Sequence, residues 1–223
     1  MRIELLAPAF VLCLTGIAIT PATADAQLAV AGRISSLGVG AELSYRAGRT
    51  VGLRAAGNWL RFSREMTIDE VDYDFTPVLE NGTALVDVYP FSGSFHVTGG
   101  VMLNGNEGRM VAVLNRPVTI GNRTYSPAEV GSLSGRLTYG ETAPYLGLGF
   151  AGTGRIAFVF DLGVAFTGRP RAGLVGNTNL TGTERDVFES NVALEEQRVQ
   201  AEIDERSYLK YHPVLSFGLK IRL

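Results

Sequence analysis

The sequence predicts an all-β fold, a transmembrane antiparallel up-and-down β-barrel, and three observations support this prediction. Apolar and polar residues alternate with a period of two along much of the chain, which is typical of strands with two different faces. Tight turns alternate with long loops. The chain is 46% hydrophobic, yet beyond its N-terminal segment no apolar run approaches the ~20 residues of a membrane-spanning helix. We therefore expect the hydrophobic residues to lie on strands.

The N-terminal segment has the pattern of a signal peptide. Arg2 precedes an apolar run from Leu5 to Ile19, and Ala24-Asp25-Ala26 matches the small-x-small pattern of a cleavage site. The alternative is an uncleaved anchor, for which a run this short, interrupted by Pro8, is insufficient. We expect residues 1–26 to be removed, and residues 27–223 to form one barrel domain in the outer membrane of a Gram-negative cell.

Charge and cysteine content exclude several classes of function. The chain has 20 basic and 22 acidic residues, a net charge of −2, so no strong field favours nucleic acid. The single cysteine, Cys13, lies in the predicted signal peptide, which leaves no disulfide and no thiol chemistry in the mature chain. Metal-ligand clusters, phosphate loops and nucleophile elbows are absent from the sequence, so we expect no metal and no cofactor.

Eight segments carry the strand alternation. In the second of them Leu37, Val39 and Leu43 share one face, while Gly40 and Glu42 share the other. The predicted strands are residues 28–36, 37–46, 50–62, 78–89, 94–104, 143–151, 156–167 and 211–223. A ten-strand alternative pairs residues 118–120 with 124–126, or recruits residues 133–139.

Three features favour a membrane barrel over a soluble sandwich. The tight turns at residues 46–49, 90–93 and 152–155 alternate with long connections at residues 63–77, 105–142 and 168–210, as in barrels with short periplasmic turns and long external loops. The alternation continues to the final residue. Aromatic residues lie at strand ends, where they favour the membrane interface: Tyr45, Trp59, Tyr89, Phe91, Phe150 and Phe166.

Several strand and turn segments resemble a known family. They are residues 143–149 (APYLGLG), 161–164 (DLGV), 87–91 (DVYPF) and 211–214 (YHPV). Through them, nearly all of the mature chain resembles small proteobacterial outer-membrane β-barrel proteins, loosely of the OmpA and OmpW types. The resemblance implies the barrel fold and the location, and it contains no catalytic signature.

Charged residues on the polar face are the main candidates for function. The lumen-polar candidates are Glu42, Arg54, Asp87, His96, Asp161 and Lys220, with Arg33 and Arg222 on the same face. An eight-stranded barrel is only just wide enough for its own side chains, so we expect these charges to form an ion-pair network that fills the lumen. The alternative is a path for small solutes, for which the many inward glycines would leave room.

The two histidines raise an enzymatic alternative. His96 and His212, with Ser94, Ser216 and Glu42, would supply the residue types of a Ser-His-acid hydrolase or acyltransferase acting on lipid A. Two isolated histidines on separate strands show no specific spacing, however. We therefore expect no catalytic residues and no enzyme.

Residues 184–208 predict one amphipathic helix. Phe188, Val192, Val199 and Ile203 recur at helical spacing beside an acidic face. The favoured interpretation is a solvated cap near the barrel mouth, and the alternative is a lid that binds a cation, a peptide or a partner.

Together these features predict a structural envelope component or a narrow, porin-like channel for small solutes. A lipid-modifying enzyme and a surface adhesion or ligand-binding barrel are the alternatives. The expected partners are outer-membrane lipid and lipopolysaccharide, the barrel-assembly machinery through the C-terminal strand, and a small solute.

Overall fold

The computed structural model describes residues 27–68 and 71–223. The predicted signal peptide, residues 1–26, lies outside the described residues. Within the described ranges, no helix combines the length and the hydropathy needed to cross a membrane.

The described ranges are mostly strands. In chain order the elements are β1 (Gln27–Ser35), β2 (Gly38–Ala47), β3 (Val51–Arg61), β4 (Arg64–Ile68), β5 (Val71–Val88), β6 (Phe95–Asn104), β7 (Glu107–Val113), β8 (Val118–Ile120), β9 (Arg123–Tyr125), β10 (Val130–Thr138), β11 (Thr142–Ala151), β12 (Ile156–Ala165), β13 (Arg171–Thr178), helix α1 (Thr183–Glu205), a 3₁₀ turn (Ser207–Lys210) and β14 (His212–Arg222).

Eight of the described strands close into an antiparallel ring in the order β1-β2-β3-β5-β6-β11-β12-β14. The ring closes because β14 pairs with β1, with Arg33 opposite Gly218. The eight-strand prediction is confirmed, and the ten-strand alternative is wrong. Residues 118–125 form a separate hairpin, and β10 pairs with β7 and β13 outside the ring.

The outer surface of the ring is apolar on every strand, and we call it the outer belt. Its large exposed side chains are Val30, Ile34, Val39, Leu43, Val51, Leu53, Val86, Val88, Val97, Val101, Leu103, Leu146, Leu148, Phe150, Ile156, Phe158, Leu162, Leu215, Phe217, Leu219 and Ile221. The alternate residues point inward and include most of the buried charges. This arrangement inverts that of a soluble protein and suits a lipid environment.

The connections separate the two ends of the ring. Both described termini and the tight turns lie at one end, here called the turn end, and the long connections lie at the other, the loop end. The shortest link at the loop end is Ser36-Leu37, between β1 and β2. Gly38 makes this link feasible because its φ is +118° and a Cβ there would lie 2.9 Å from the backbone of Trp59.

The long connections fold into a second sheet, which the sequence did not predict beyond the hairpin at residues 118–126 and the strand at residues 133–139 of the ten-strand alternative. The 18-residue strand β5 extends past the ring, and its first half pairs with β4 and β7. β10 then joins β7, and β13 joins β10. We call β4, the first half of β5, β7, β10 and β13 the external sheet. Because β5 runs through both sheets, the external sheet continues one wall of the barrel.

Helix α1 packs on the external sheet. It spans Thr183–Glu205, close to the predicted 184–208. Phe188 and Val192 on its first half join Tyr125, Ile120 and other residues in a compact apolar core. We call the external sheet, the β8–β9 hairpin and α1 the external lobe.

Candidate functional site in the ring interior and the external lobe

Arg54 extends from β3 into the ring and meets carboxylates from three other strands. Its Nε lies 2.7 Å from Oδ2 of Asp87 on β5. Its Nη2 donates to Oδ1 of Asp161 on β12 at 3.0 Å, and its Nη1 donates to Oε2 of Glu42 on β2 at 3.3 Å. A single guanidinium thus connects four strands across the lumen.

A second guanidinium extends the same network. Arg33 on β1 donates to Glu42 and Asp161, and its Nε donates to Oγ of Ser216 at 2.9 Å. Arg33, Glu42 and Asp161 are all buried. We call Arg33, Glu42, Arg54, Asp87 and Asp161 the ionic cluster. Charges buried in this way need partners and hydrogen bonds to offset their desolvation, and here each one has at least one oppositely charged partner.

His96 joins the ionic cluster from β6. Its Nε2 lies 2.9 Å from Oδ1 of Asp161, and its ring packs on Tyr89 with centroids 5.3 Å apart. Within the described residues its Nδ1 is buried without a hydrogen-bond partner. Five of the sequence-derived candidates, Glu42, Arg54, Asp87, His96 and Asp161, therefore meet at one level of the barrel.

Lys220 lies apart from the ionic cluster. It lines a cavity of about 30 Å³ nearer the turn end, with Arg46 and Arg222. Among the described residues no carboxylate lies within ion-pair distance of its ammonium group. Like Arg222, it therefore belongs to a basic rim at the turn end.

The inward glycines accommodate the ionic cluster and do not leave an open lumen. A Cβ at Gly149 would lie 2.6 Å from Oδ1 of Asp161 and 2.7 Å from Nε2 of His96. A Cβ at Gly163 would lie 2.3 Å from the hydroxyl of Tyr145. Neighbouring side chains therefore already occupy the space that a larger residue at either position would need.

Two further layers lie between the ionic cluster and the loop end. An apolar layer includes Leu85, Met102 and Tyr145. Beyond it, Asn81 accepts a hydrogen bond from Nδ2 of Asn58 at 3.0 Å and donates to Oδ1 of Asn106 at 3.0 Å. These asparagines were not among the predicted site residues, although Asn58 and Asn81 have the same inward phase as Arg54 and Asp87.

Two small cavities lie in the lumen formed by the described strands. One, of about 30 Å³, lies between the ionic cluster and the asparagine layer, and the other is the turn-end cavity that Lys220 lines. Arg54 contributes to the walls of both. Each has room for about two water molecules, and the ionic cluster lies between them.

The residues proposed for hydrolysis are not assembled into a catalytic site. His96 is 1% exposed and contacts Asp161, whereas Ser216 accepts a hydrogen bond from Arg33. His212 begins β14 at the opposite, loop end of the ring. A serine hydrolase needs its nucleophile within hydrogen-bond reach of the base, and neither described histidine has such a serine. Among the described residues no His, Cys, Asp and Glu group has a metal-binding geometry.

A cavity of about 380 Å³ lies outside the ring, between the loop end and the external lobe, and we call it the external pocket. Its main apolar walls are Phe75, Met110, Leu137, Tyr139, Leu174 and Val199. The pocket was not predicted, because its walls come from segments expected to be long connections and from the predicted helix. The alternation of Gly108, Met110 and Ala112 was the available signal of a strand.

Comparison with known proteins supports the fold. The chain is similar to the crystal structure of CarO2 from Acinetobacter baumannii, with a TM-score of 0.57, 20% identity, and coverage of 88% of this chain and 98% of that one. It is similar to CarO of the same organism, with a TM-score of 0.57, 21% identity, and coverage of 87% and 97%. No protein-family model and no curated protein matches the sequence. The closed ring, the outer belt and these likenesses agree on one fold, a β-barrel of the outer-membrane type.

Proposed function

We propose that the protein is a non-enzymatic component of the outer membrane, a closed barrel that anchors the external lobe at the cell surface. The outer belt supplies the contact with membrane lipid and with lipopolysaccharide. Short turns face the periplasm in barrels of this type and long connections face outward, which puts the external lobe outside the cell.

The observation that carries this proposal is the contact of Arg54 with Glu42, Asp87 and Asp161. These groups come from four strands around the ring, so they cross the lumen rather than line its wall. Opening a path would separate buried opposite charges, and breaking such a pair costs about 3–5 kcal/mol. The closed state is therefore the stable one.

A narrow channel is the second candidate, and one observation favours it. The ionic cluster lies between the two lumen cavities, and Arg54 borders both. A rearrangement that moves Arg54 and its partners aside would bring the two cavities together. A small solute would then pass through a polar, charge-balanced constriction.

Conductance in planar lipid bilayers tests the closed barrel. The purified protein, shown to be folded by its heat-modifiable migration on gels, should give no stable conductance steps, whereas a general porin in the same bilayers gives them. Stable ohmic steps from the folded protein would overturn the closed barrel in favour of the channel.

Two further parts of the proposal have their own tests. The C-terminal strand β14, which pairs with both β1 and β12, would be read by the barrel-assembly machinery; deleting residues 215–223 should abolish insertion in cells. The absence of enzymatic activity requires that a His96→Ala, His212→Ala double variant leave lipid A composition unchanged. A changed composition would contradict it.

A further inference from the structure

The external pocket is formed by elements that other contacts hold in place. Its floor is the face of the external sheet that carries Phe75, Met110 and Leu137, and the barrel rim adds Thr167 and His212. The first half of α1 closes on the same face of the sheet with Phe188 and Val192. The second half of α1 does not pack against this face of the sheet, and Val199 is its one residue that lines the pocket.

Hydrogen bonds to a sheet edge keep the second half of α1 in place. Glu196 accepts from the backbone N–H of Leu174 at 2.8 Å, and Gln200 accepts from that of Ala172 at 2.9 Å. Gln200 also donates to the carbonyl of Pro170 at 3.2 Å. These bonds cover the free edge of β13 and fix the helix at its side, so the pocket is preformed rather than left by loose packing.

Glycines in the floor keep the pocket open. Gly108 on β7 faces Leu137 on β10, and Gly135 on β10 faces Met110 on β7. A Cβ at Gly108 would make only ordinary contacts, 3.7 Å from Leu137 and from Phe75. The fold therefore does not require glycine there for backbone reasons, and a larger side chain would occupy the pocket.

The charges near the pocket are turned away from it or neutralised. Directly paired residues of antiparallel strands share a face, and Arg136 is paired with Arg109 and Gly173 while Leu137 is paired with Gly108 and Ala172. Arg136 thus lies on the opposite face, where its Nε is 3.7 Å from Glu107. Burial raises the pKa of the Tyr139 hydroxyl in the pocket wall. No lysine or arginine among the described lining residues is directed at a ligand in the pocket.

We propose that the external pocket binds an uncharged, apolar small molecule that arrives from outside the cell. A volume of about 380 Å³ falls in the range of ~300–1,000 Å³ found for small-molecule sites. The mostly apolar walls supply the affinity. No cationic side chain of the described lining faces into the pocket, which disfavours a ligand with a carboxylate group. A free fatty acid is therefore not the expected ligand. Ligand binding here is independent of whether the lumen conducts.

Methionine-methyl NMR tests this proposal in the full mature chain, reconstituted in lipid nanodiscs to avoid detergent in the pocket. Met110 lies in the pocket and Met102 is fully buried in the lumen, so the two methyl groups serve as reporter and internal reference. The probe is methyl benzoate, an uncharged aromatic ester. The Met110 signal should shift and saturate, and the Met102 signal should stay unchanged.

A pair of glycine variants provides the control. Gly108→Leu places a side chain in the pocket and should weaken methyl benzoate binding at least about tenfold, since filling the site removes most of the apolar contact. The backbone of Gly173 borders the pocket, but a Cβ there points to the opposite face of the same sheet and meets nothing within 4 Å, so Gly173→Leu should bind as the parent does.

Three results would overturn the proposal. One is a Met110 shift that rises linearly without saturation, which indicates partition into lipid. Another is equal binding by Gly108→Leu and the parent. The third is saturable binding of dodecanoate but not of methyl benzoate, which would assign the pocket to an acyl chain with an anionic head.

Discussion

The ring and the external lobe share strand β5, yet their interiors are opposite in character. The ring encloses the ionic cluster and turns its apolar side chains outward. The external lobe encloses Tyr125, Phe188 and Val192 and presents most of its charges to solvent. The surroundings explain the difference: lipid stabilises an apolar exterior, whereas water stabilises a polar one. Strand β5 therefore keeps the same face inward throughout, with Tyr73 in the lobe and Asp87 in the ring, and only the chemical character of that face changes where the strand leaves the ring.

The largest effect should come from removing Arg54. Arg54→Ala leaves Asp87 without its guanidinium partner and weakens the pairing of Glu42 and Asp161, so the free energy of unfolding should fall by about 5 kcal/mol. Urea unfolding of the protein in lipid vesicles, followed by heat-modifiable migration, measures this change. Arg155→Ala, at an exposed turn, is the matched control and should change it by less than about 0.5 kcal/mol. Equal effects of the two variants would show that the ionic cluster does not hold the ring.

A change in the apolar core of the lobe should weaken the lobe and leave the ring intact. Phe188 is 1% exposed and meets the ring of Tyr125 edge-on at 5.2 Å, so Phe188→Ala should cost the lobe about 3–4 kcal/mol. Limited proteolysis should cut within residues 105–141 and 168–210, while the membrane-protected barrel core keeps its heat-modifiable migration. Val187→Ala, at an exposed position on the same helix, is the control. Loss of the folded barrel in Phe188→Ala would show that the two regions do not fold separately.

The contact between α1 and the sheet edge should have a smaller effect. Glu196→Ala removes the acceptor for the N–H of Leu174 and should reduce the protection of that amide against hydrogen exchange by about 1–2 kcal/mol. Glu202→Ala, on the exposed face of α1, should leave it unchanged. If Leu174 keeps its protection in Glu196→Ala, the helix is held by packing alone.

The smallest effect should be a pH dependence confined to the lobe. Glu129 accepts hydrogen bonds from the backbone N–H and the hydroxyl of Ser126, both at 2.8 Å, and from Arg123 at 3.0 Å. The bonds from Ser126, with the charge of Arg123, lower the pKa of Glu129 below its ordinary value of 4.5. A lowered pKa contributes stability that is present above the ordinary pKa and is lost as the pH falls through the lowered value.

Hydrogen exchange across residues 126–130 should therefore accelerate as the pH is lowered below about 4.5, after correction for the intrinsic rate. Glu129→Gln should flatten this dependence, whereas Glu141→Gln, at an exposed site where the side chain makes no hydrogen bond or ion pair within the described residues, should retain it. The same slope in all three proteins would assign the pH dependence to another group.

The barrel was predictable from sequence because a period of two is a local property. In β2 the residue type alone, apolar at Leu43 and charged at Glu42, indicates which face of the strand each position occupies. The eight ring strands were predicted close to their observed bounds. The same alternation predicted that the side chains of Arg54, Asp87 and Asp161 point into the ring. Their mutual contacts did not follow, since these depend on strand register and on Gly149 and Gly163 admitting neighbouring side chains.

The external lobe was less predictable. The signal in β7 is weak because Gly108 and Ala112 are small. Strand β7 pairs with the extension of β5, and β10 pairs in turn with β7, so both strands depend on partners that are distant in sequence. Helix α1 was predicted from the spacing of Phe188 and Val192. Its position beside β13 required the bonds from Glu196 and Gln200 to backbone groups that the sequence does not identify.

By itself, the sequence determined that apolar residues occupy every second position of eight strands and that the polar positions carry balancing charges. Lipid outside and a narrow lumen inside make that pattern sufficient for a barrel. Only the tertiary structure decided that Arg54 reaches carboxylates across the lumen and that the loops build a second sheet with a pocket. Both depend on contacts between residues far apart in the chain, and a periodic pattern carries no information about which distant residues will meet.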